Sequence, residues 1–204
     1  NYREEKLQSL LALGLDTWWY DRNWITSLIS PTKELKAETW GLAIFNDVTE
    51  NFYKKKAGGD SPVRPVIMGN VNNIVNGIYR EIMDSASHRY SIQWTGDNCC
   101  DRESIGNEIL NILKAGNNAI GYPNFDCGGH LGNPDRELYL RWIQCGALSP
   151  VFRPHCTKGL ERYREPWEYG DPEVVEIARR YYKLRYRLLP VLYKSARENN
   201  ERGV

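Results

Sequence analysis

The sequence has almost no net charge. Its 27 lysines and arginines balance 26 aspartates and glutamates, which leaves a formal charge of +1. Such a chain lacks the positive field that attracts nucleic acid or an anionic membrane surface. It also lacks any apolar stretch near the roughly 20 residues that cross a bilayer, and residues 1–6 do not resemble a signal peptide. We therefore expect neither nucleic acid nor a membrane as a partner.

Signs of paired or metal-binding cysteines are missing as well. The five cysteines are an odd number, none of them are in a Cys-x-x-Cys spacing, and the sequence has no Asn-x-Ser/Thr sequon. We interpret them as free thiols in a reducing compartment, which favours the cytoplasm, rather than as metal ligands. The sequence does not begin with Met, so we expect it to be part of something longer.

Strand-like and helix-like segments alternate along the chain. The apolar pattern predicts five strands and three helices; the strands are residues 10–19, 64–68, 89–94, 119–122 and 150–152, and the helices are residues 101–115, 137–147 and 172–198. Residues 54–65 are predicted to form an exposed loop. This alternation is typical of a parallel α/β fold. Five strands cannot close a (β/α)₈ barrel, so the chain is either part of a barrel or a smaller open sheet.

Two aspartates follow apolar segments that are rich in tryptophan. Asp21 comes after Trp18 and Trp19, and Asp97 comes three residues after Trp94. Aromatic rings cover the apolar faces of a sugar, and two carboxyl groups can cleave its glycosidic bond. The sequence therefore favours glycoside chemistry at the carboxyl ends of these strands.

Several segments, taken together and in order, resemble one known family. They are residues 15–21, 89–98, 125–130, 137–155 and 164–190. Residues 13–190 as a whole resemble the C-terminal half of the catalytic barrel of glycoside hydrolase family 31, the α-glucosidase and α-xylosidase family. The resemblance implies a partial (β/α)₈ barrel over residues 1–204, containing about strands 4–8, with insertions or loops near residues 54–63 and 71–87.

The resemblance also implies a retaining α-glycosidase. Asp21 corresponds to the nucleophile and Asp97 to the general acid/base, two groups that lie about 5–5.5 Å apart in retaining enzymes. Six further residues would bind the substrate: Trp19, Trp94, Asp126, His155, Arg153 and Arg89. Arg153 is expected to hold a carboxylate in place more than to touch the sugar. The two carboxyl groups complete the chemistry, so no metal or organic cofactor is expected.

Other interpretations stay open for individual residues. Asp21 and Asp97 could each cap a following helix, and Asp126 could be an ordinary turn residue. Trp18 and Trp19 point to opposite faces of a strand, so at most one of them lines a site. An apolar wall from Trp94 would raise the pKa of Asp97. At the level of function, a transglycosylase and a non-catalytic carbohydrate-binding protein are the alternatives.

The chain also departs from the family pattern. Residues 22–24 read Arg-Asn-Trp where the family commonly has Met-Asn-Glu, and Gly69-Asn70 stand where a sugar-binding arginine is usual. The resemblance implies that these positions recognise the sugar, so glucose, galactose, xylose and N-acetylated sugars all stay open. The first three barrel strands and the flanking β-rich domains of the family have no counterpart in this sequence. We expect the chain alone to be inactive or to self-associate.

Overall fold

The structure is a computed structural model that describes residues 2–21, 37–60, 62–74, 87–90 and 92–203. Its helices are α1 (Tyr2–Ala12), α2 (Ala37–Ala57), α3 (Arg102–Asn117), α4 (Arg136–Leu148) and α5 (Pro172–Arg202), and its strands are β1 (Thr17–Tyr20), β2 (Val66–Ile74), β3 (Ile92–Gly96) and β4 (Pro123–Asn124). Two short 3₁₀ helices span Ser87–Arg89 and Pro166–Tyr169. Among the described residues, no helix combines the length and hydrophobicity that crossing a bilayer requires.

The chain divides into two compact units. The first contains Asn1–Val71 and Met83–Gln93, and the second contains Asn72–Ile82 and Trp94–Val204. In the first unit β1 runs parallel to β2, with Thr17 opposite Val66. Its core consists of Leu11, Trp18, Leu42, Val48 and Ile67.

The second unit contains the end of β3, which lies in one sheet with β4. Helix α3 contacts both β4 and α4, and α4 packs against α5. Its core is built from both ring and aliphatic side chains, chiefly Phe125, Tyr139, Trp142, Ile143, Val174 and Ala178. All three helices begin at an aspartate whose side chain accepts a backbone N–H: Asp101, Asp135 and Asp171. These caps satisfy amide groups that have no partner within the helix. The helices predicted at 101–115, 137–147 and 172–198 are thereby confirmed.

The strand predictions were less accurate. Residues 10–12 of the first predicted strand belong to α1, because Leu and Ala are strong helix formers and an apolar run does not by itself distinguish helix from strand. Residues 119–122 precede β4 and form the turn after α3, where the Ile120 amide donates to the Ala115 carbonyl at 3.0 Å. The 89–94 strand begins only at Ile92, since Ser87–Arg89 is a 3₁₀ helix.

Three further segments differ from the sequence prediction. Residues 150–152 form no strand, although an isolated parallel bridge joins Cys127 to Pro154 just beyond them. Helix α2 was not predicted, and its last turn includes residues 54–57 of the predicted loop. Residues 71–74 of the predicted insertion extend β2, while residues 75–86 lie outside the described residues.

Candidate active site

Asp126 is the centre of a polar cluster in the second unit. It follows β4 and is fully buried. Its Oδ1 accepts a hydrogen bond of 2.7 Å from Trp94 Nε1 and another from Arg153. A buried carboxylate needs such donors because its charge has lost the stabilisation of water. The cluster therefore holds a negative charge in a fixed position.

Arg153 contacts three groups of this cluster at once. Besides Asp126, its Nε donates to Asn124 Oδ1 at 3.4 Å, and its guanidinium lies 5.3 Å from the centre of the Trp94 ring. A planar guanidinium suits this combination because it can donate within its plane and stack on an aromatic face. Arg153 thus contacts the carboxylate of Asp126, the type of contact that the sequence led us to expect.

His130 lies between two carboxylates. Its Nδ1 is 3.1 Å from Asp126 Oδ2 and its Nε2 is 3.7 Å from Asp97 Oδ1. The ring centre of His155 is 5.4 Å away. The structure therefore brings together Asp97, Asp126 and His155, three of the predicted site residues, around a histidine to which the sequence analysis gave no role.

Asn98 fixes the loop that carries His130 by hydrogen bonds to its backbone. This side chain is fully buried; its Nδ2 donates to the Asp126 carbonyl at 3.3 Å, and its Oδ1 accepts from the His130 amide at 2.9 Å. The Leu131 amide donates in turn to the Asn98 carbonyl. The end of β3, where Asp97 lies, and the loop after β4 are therefore positioned by one residue.

Arg164 also fixes this loop through hydrogen bonds to backbone carbonyls. It is buried, and it donates to the carbonyls of Gly129 and Gly132, with Nη2 at 2.7 Å from each. Tyr139 in α4 donates to the Arg164 carbonyl at 2.9 Å. The close approach requires Gly128 and Gly129, which have φ angles of 100° and 81°, because an L side chain is strained there.

Glu108 is a second buried carboxyl group beneath the site. Its Oε1 accepts hydrogen bonds from Asn98 at 2.8 Å and from Thr95 at 2.9 Å. Burial raises the pKa of Glu108 to about 7, although the three hydrogen bonds it accepts oppose this shift. Sequence analysis did not identify this group. The signal was present, because Glu108 lies at helical spacing between the apolar residues Ile105 and Ile112.

Comparison with known proteins identifies the family. The model described as "Glycosyl hydrolases family 31 TIM-barrel domain" matches residues 1–195. The chain belongs to glycosyl hydrolase family 31. The resemblance noted in the sequence is thereby confirmed, as is the α/β fold with part of a TIM barrel.

Two curated relatives of this family-31 chain are named as α-glucosidases. A probable glucan 1,3-alpha-glucosidase of Arabidopsis thaliana is 42% identical over 118 residues, which cover 58% of this chain and 13% of the relative. Alpha-glucosidase 2 of Bacillus thermoamyloliquefaciens is 37% identical over 119 residues, or 58% of this chain and 15% of the relative. The matched stretch thus spans a small part of each curated relative.

A solved family-31 structure shows the same fold. The family 31 alpha-glucosidase from Bacteroides thetaiotaomicron superimposes with a TM-score of 0.64 and 25% identity. The match covers 89% of this chain and 29% of that chain. The match covers most of this chain but less than a third of the solved enzyme, as expected if this chain carries only part of a family-31 barrel.

The remaining predicted residues of the family-31 site lie in the first unit. Asp21 directly follows β1 and is exposed, as is Arg89 at the end of its 3₁₀ helix. Trp18 is 7% exposed and Trp19 45%, so the prediction that they face opposite ways is confirmed. Asp21 and Asp97 belong to different units, and their convergence stays a prediction.

The structure tests some of the alternative interpretations of Asp97, Asp21 and Asp126. Asp97 does not cap α3, because the cap is Asp101, whose Oδ1 accepts from the Ser104 amide at 2.7 Å. The corresponding alternative for Asp21 depends on residues 22–24, which lie outside the described residues. Asp126 does lie at a turn, since its carbonyl accepts from Gly129, but its side chain is committed to Trp94 and Arg153.

Asp126, His130 and His155 also meet the geometric requirement for a cation. Each offers one ligand atom, and these atoms lie within 4.8 Å of one another. Burial lowers the pKa of His155, which favours a neutral ring with a lone pair at neutral pH. The pair of histidines beside a carboxylate was not recognised in the sequence because the three residues lie up to 29 positions apart.

All five cysteines are free, as predicted. Burial raises the pKa of the Cys127 thiol well above its ordinary value and that of Cys145 to about 11. These two thiols are therefore protonated near neutral pH, which makes them poor nucleophiles and poor metal ligands.

Proposed function

We propose that the protein containing this chain hydrolyses α-glycosidic bonds with retention of anomeric configuration. The observation that carries the proposal is the family-31 match over residues 1–195, and the α-glucosidase names of the curated relatives support it. The sugar itself stays open, because residues 22–24 and Gly69-Asn70 depart from the family pattern.

In the proposed reaction Asp21 is the nucleophile and Asp97 the general acid/base. Asp97 donates its proton to the glycosidic oxygen as the bond from that oxygen to the anomeric carbon breaks. Asp21 attacks the same carbon and forms a covalent glycosyl ester. Asp97, now ionised, removes a proton from water; the hydroxide attacks the anomeric carbon, and the ester bond to Asp21 breaks.

The cluster around Asp126 supports the proposal as a place for sugar hydroxyl groups. Oδ1 of Asp126 is occupied by Trp94 and Arg153, whereas its buried Oδ2 accepts no hydrogen bond among the described residues, although His130 Nδ1 lies 3.1 Å away. A sugar hydroxyl could donate to that oxygen, with His155 beside it. A buried oxygen that lacks a hydrogen bond favours ligands with a matching hydroxyl, which is how such a site selects one sugar.

Trp19 and Arg89 would contribute from the first unit. The Trp19 ring is nearly half exposed at the end of β1, as a platform for the apolar face of a sugar requires. In the proposal Trp94 has a different task, because its ring is 1% exposed: it supports Asp126 rather than stacking on the substrate.

The test is hydrolysis by the full-length protein of a panel of 4-nitrophenyl α-glycosides that includes glucose, galactose, xylose and N-acetylated sugars. We expect one sugar to be preferred and NMR to detect the α-anomer first. Asp21→Asn should lower kcat/KM by roughly 100-fold or more, because the ester cannot form. Asp97→Asn should lower kcat by roughly 100-fold or more, because hydrolysis of the ester loses its general base. Azide should restore turnover to Asp97→Asn alone, since azide needs no general base and 4-nitrophenol is a good leaving group.

Two exposed aspartates provide matched controls. Asp16 precedes β1 and Asp101 precedes α3, so Asp16→Asn and Asp101→Asn place the same change near each proposed catalytic residue. Both should keep nearly full activity. If no α-glycoside is cleaved, or if the β-anomer is released first, the proposal is overturned.

A further inference from the structure

We propose that Asp126, His130 and His155 form a binding site for a divalent transition-metal cation such as Zn²⁺, and that the bound cation blocks the proposed sugar site. Two imidazoles and one carboxylate are a ligand set that Zn²⁺ accepts, with water in the fourth position. The binding claim is independent of the proposed function, while the blocking claim rests on it.

The spacing of the ligand atoms supports the site. Asp126 Oδ2 and His130 Nδ1 are 3.1 Å apart, and a tetrahedral ion with bonds of about 2.0–2.1 Å places its ligands a little over 3 Å apart. The third ligand atom, from His155, lies within 4.8 Å of both. That atom must come closer to the other two to complete a tetrahedral site.

The state of Asp126 is the second observation. The residue is fully buried, and its Oδ2 accepts no hydrogen bond among the described residues, although His130 Nδ1 lies 3.1 Å away. Such an atom is costly to bury unless a hydroxyl, a water or an ion meets it. Trp94 and Arg153 hold the other oxygen, which is the outer-shell support that ligating carboxylates receive in metal sites.

Access and charge are compatible with an incoming cation. The side chain of His130 is 16% exposed and His155 is half-buried, so the ligands can be reached from solvent. The carboxyl group of Asp126 attracts the cation, and Asp97 Oδ1, 3.7 Å from the far nitrogen of His130, is a further oxygen nearby. The guanidinium of Arg153 opposes this attraction, which limits the affinity and favours reversible occupation over a permanent structural ion.

The first test is direct binding by the full-length protein after treatment with a chelator. Co²⁺ is the probe, because four-coordinate Co²⁺ absorbs visible light more strongly than the hydrated ion, and Zn²⁺ should displace it. His155→Gln and His130→Gln should each weaken Co²⁺ binding by roughly ten-fold or more. Asp126→Asn should do the same, and the half-buried His155 keeps the test valid if Asp126→Asn does not fold.

His88 provides the matched control. It is the third histidine of the chain and lies exposed in the Ser87–Arg89 3₁₀ helix, so His88→Gln should leave Co²⁺ binding unchanged. The proposal is overturned if His155→Gln and His130→Gln bind Co²⁺ as the wild type does. It is also overturned if thiolate-to-metal charge-transfer bands appear and vanish with cysteine substitution, since the ligands are then thiols.

A second test separates the site from the proposed function. With an active α-glycoside, Zn²⁺ should inhibit competitively, and His155→Gln should raise the inhibition constant by the same factor as it weakens Co²⁺ binding. If no α-glycoside is cleaved, the proposed function fails, and the Co²⁺ titration still decides the metal site. If hydrolysis is normal and Zn²⁺ inhibits the wild type and His155→Gln equally, only the metal site fails.

Discussion

Arg153 and Asp126 form a buried ion pair, and its contribution to the free energy of unfolding depends on both partners. Asp126 is fully buried, and the side chain of Arg153 is 19% exposed. Removing the cation leaves a buried carboxylate that has lost its charged partner in a medium of low dielectric constant, which typically costs about 3–5 kcal/mol. We expect Arg153→Met to lower the free energy of unfolding of the full-length protein by about 3 kcal/mol, measured by urea denaturation.

A double-mutant cycle shows whether this cost belongs to the pair. Asp126→Asn removes the charge and keeps an oxygen for Trp94 Nε1, so adding it to Arg153→Met should recover part of the loss. Arg141→Met is the control, because Arg141 pairs with Glu137 at the surface, where an ion pair contributes at most about 1 kcal/mol. Equal losses for Arg153→Met and Arg141→Met would refute the prediction.

Glu108 makes stability depend on pH. Its pKa in the folded chain is about 7, against an ordinary value of 4.5, so folding disfavours its ionised form. The stability that this group contributes is fully present below about pH 4.5 and is lost as pH rises through 7, a change of up to about 3 kcal/mol. Glu108→Gln should abolish this part of the decline in urea-unfolding midpoint between those two pH values.

The exposed Glu103 on the same helix is the control for Glu108. Glu103→Gln removes an equal charge at the surface, and the pH dependence of the unfolding midpoint should then match that of the wild type. The amide that Glu108→Gln introduces keeps an oxygen for Thr95 and Asn98, and Asn111 can turn its own amide to accept from it. An unchanged pH dependence in Glu108→Gln would mean that the carboxyl group is not the source.

At the scale of elements, the loop from Cys127 to Gly132 packs closely against Cys100 and Arg164. A Cβ on Gly129 would collide with the backbone of Cys100, reaching 2.5 Å from its amide nitrogen, and the φ angle of Gly129 is already 81°. Gly129→Ala should therefore add about 1–3 kcal/mol of overpacking to the strain of a left-handed alanine. We also expect kcat/KM to fall about ten-fold or more, because a displaced loop would move the neighbouring Asp126, where a sugar hydroxyl is proposed to bind.

Gly159 is the control that separates the overpacking from the backbone strain. Its φ angle is 79°, but a Cβ there meets no atom within 4 Å, so Gly159→Ala isolates the backbone strain of about 1–2 kcal/mol. The comparison uses the urea-unfolding midpoint and hydrolysis of the preferred 4-nitrophenyl α-glycoside. If the two variants lose equal stability and activity, the contact with Cys100 does not constrain the loop.

The same elements show what sequence could predict. The three helices of the second unit were predicted because their apolar spacing and capping aspartates are local signals. Short buried strands gave no such signal: β4 has two residues, and its edges were misplaced. In the site, Asp97 and Asp126 followed from the family motifs. His130 and Glu108 acquire their roles only through contacts with residues that are distant in sequence.

For the molecule as a whole, the described part leaves several large apolar side chains in solvent. Leu13, Leu148, Trp167, Tyr186 and Tyr193 are each more than 60% exposed. The chain covers 29% of the solved Bacteroides enzyme, and an eight-stranded barrel cannot close with the four strands described here. Exposed apolar patches and open strand edges promote association, and a net charge of +1 provides little repulsion.

We therefore expect residues 1–204, produced alone, to associate and to lack glycosidase activity. Size-exclusion chromatography with light scattering should give a mass that is a multiple of 23.7 kDa or larger aggregates, and a dye specific for exposed apolar surface should bind. The longer parent protein at the same concentration is the control, because its additional residues should cover this surface. A monomer of residues 1–204 that unfolds cooperatively and binds no dye would mean that the two units bury enough apolar surface by themselves.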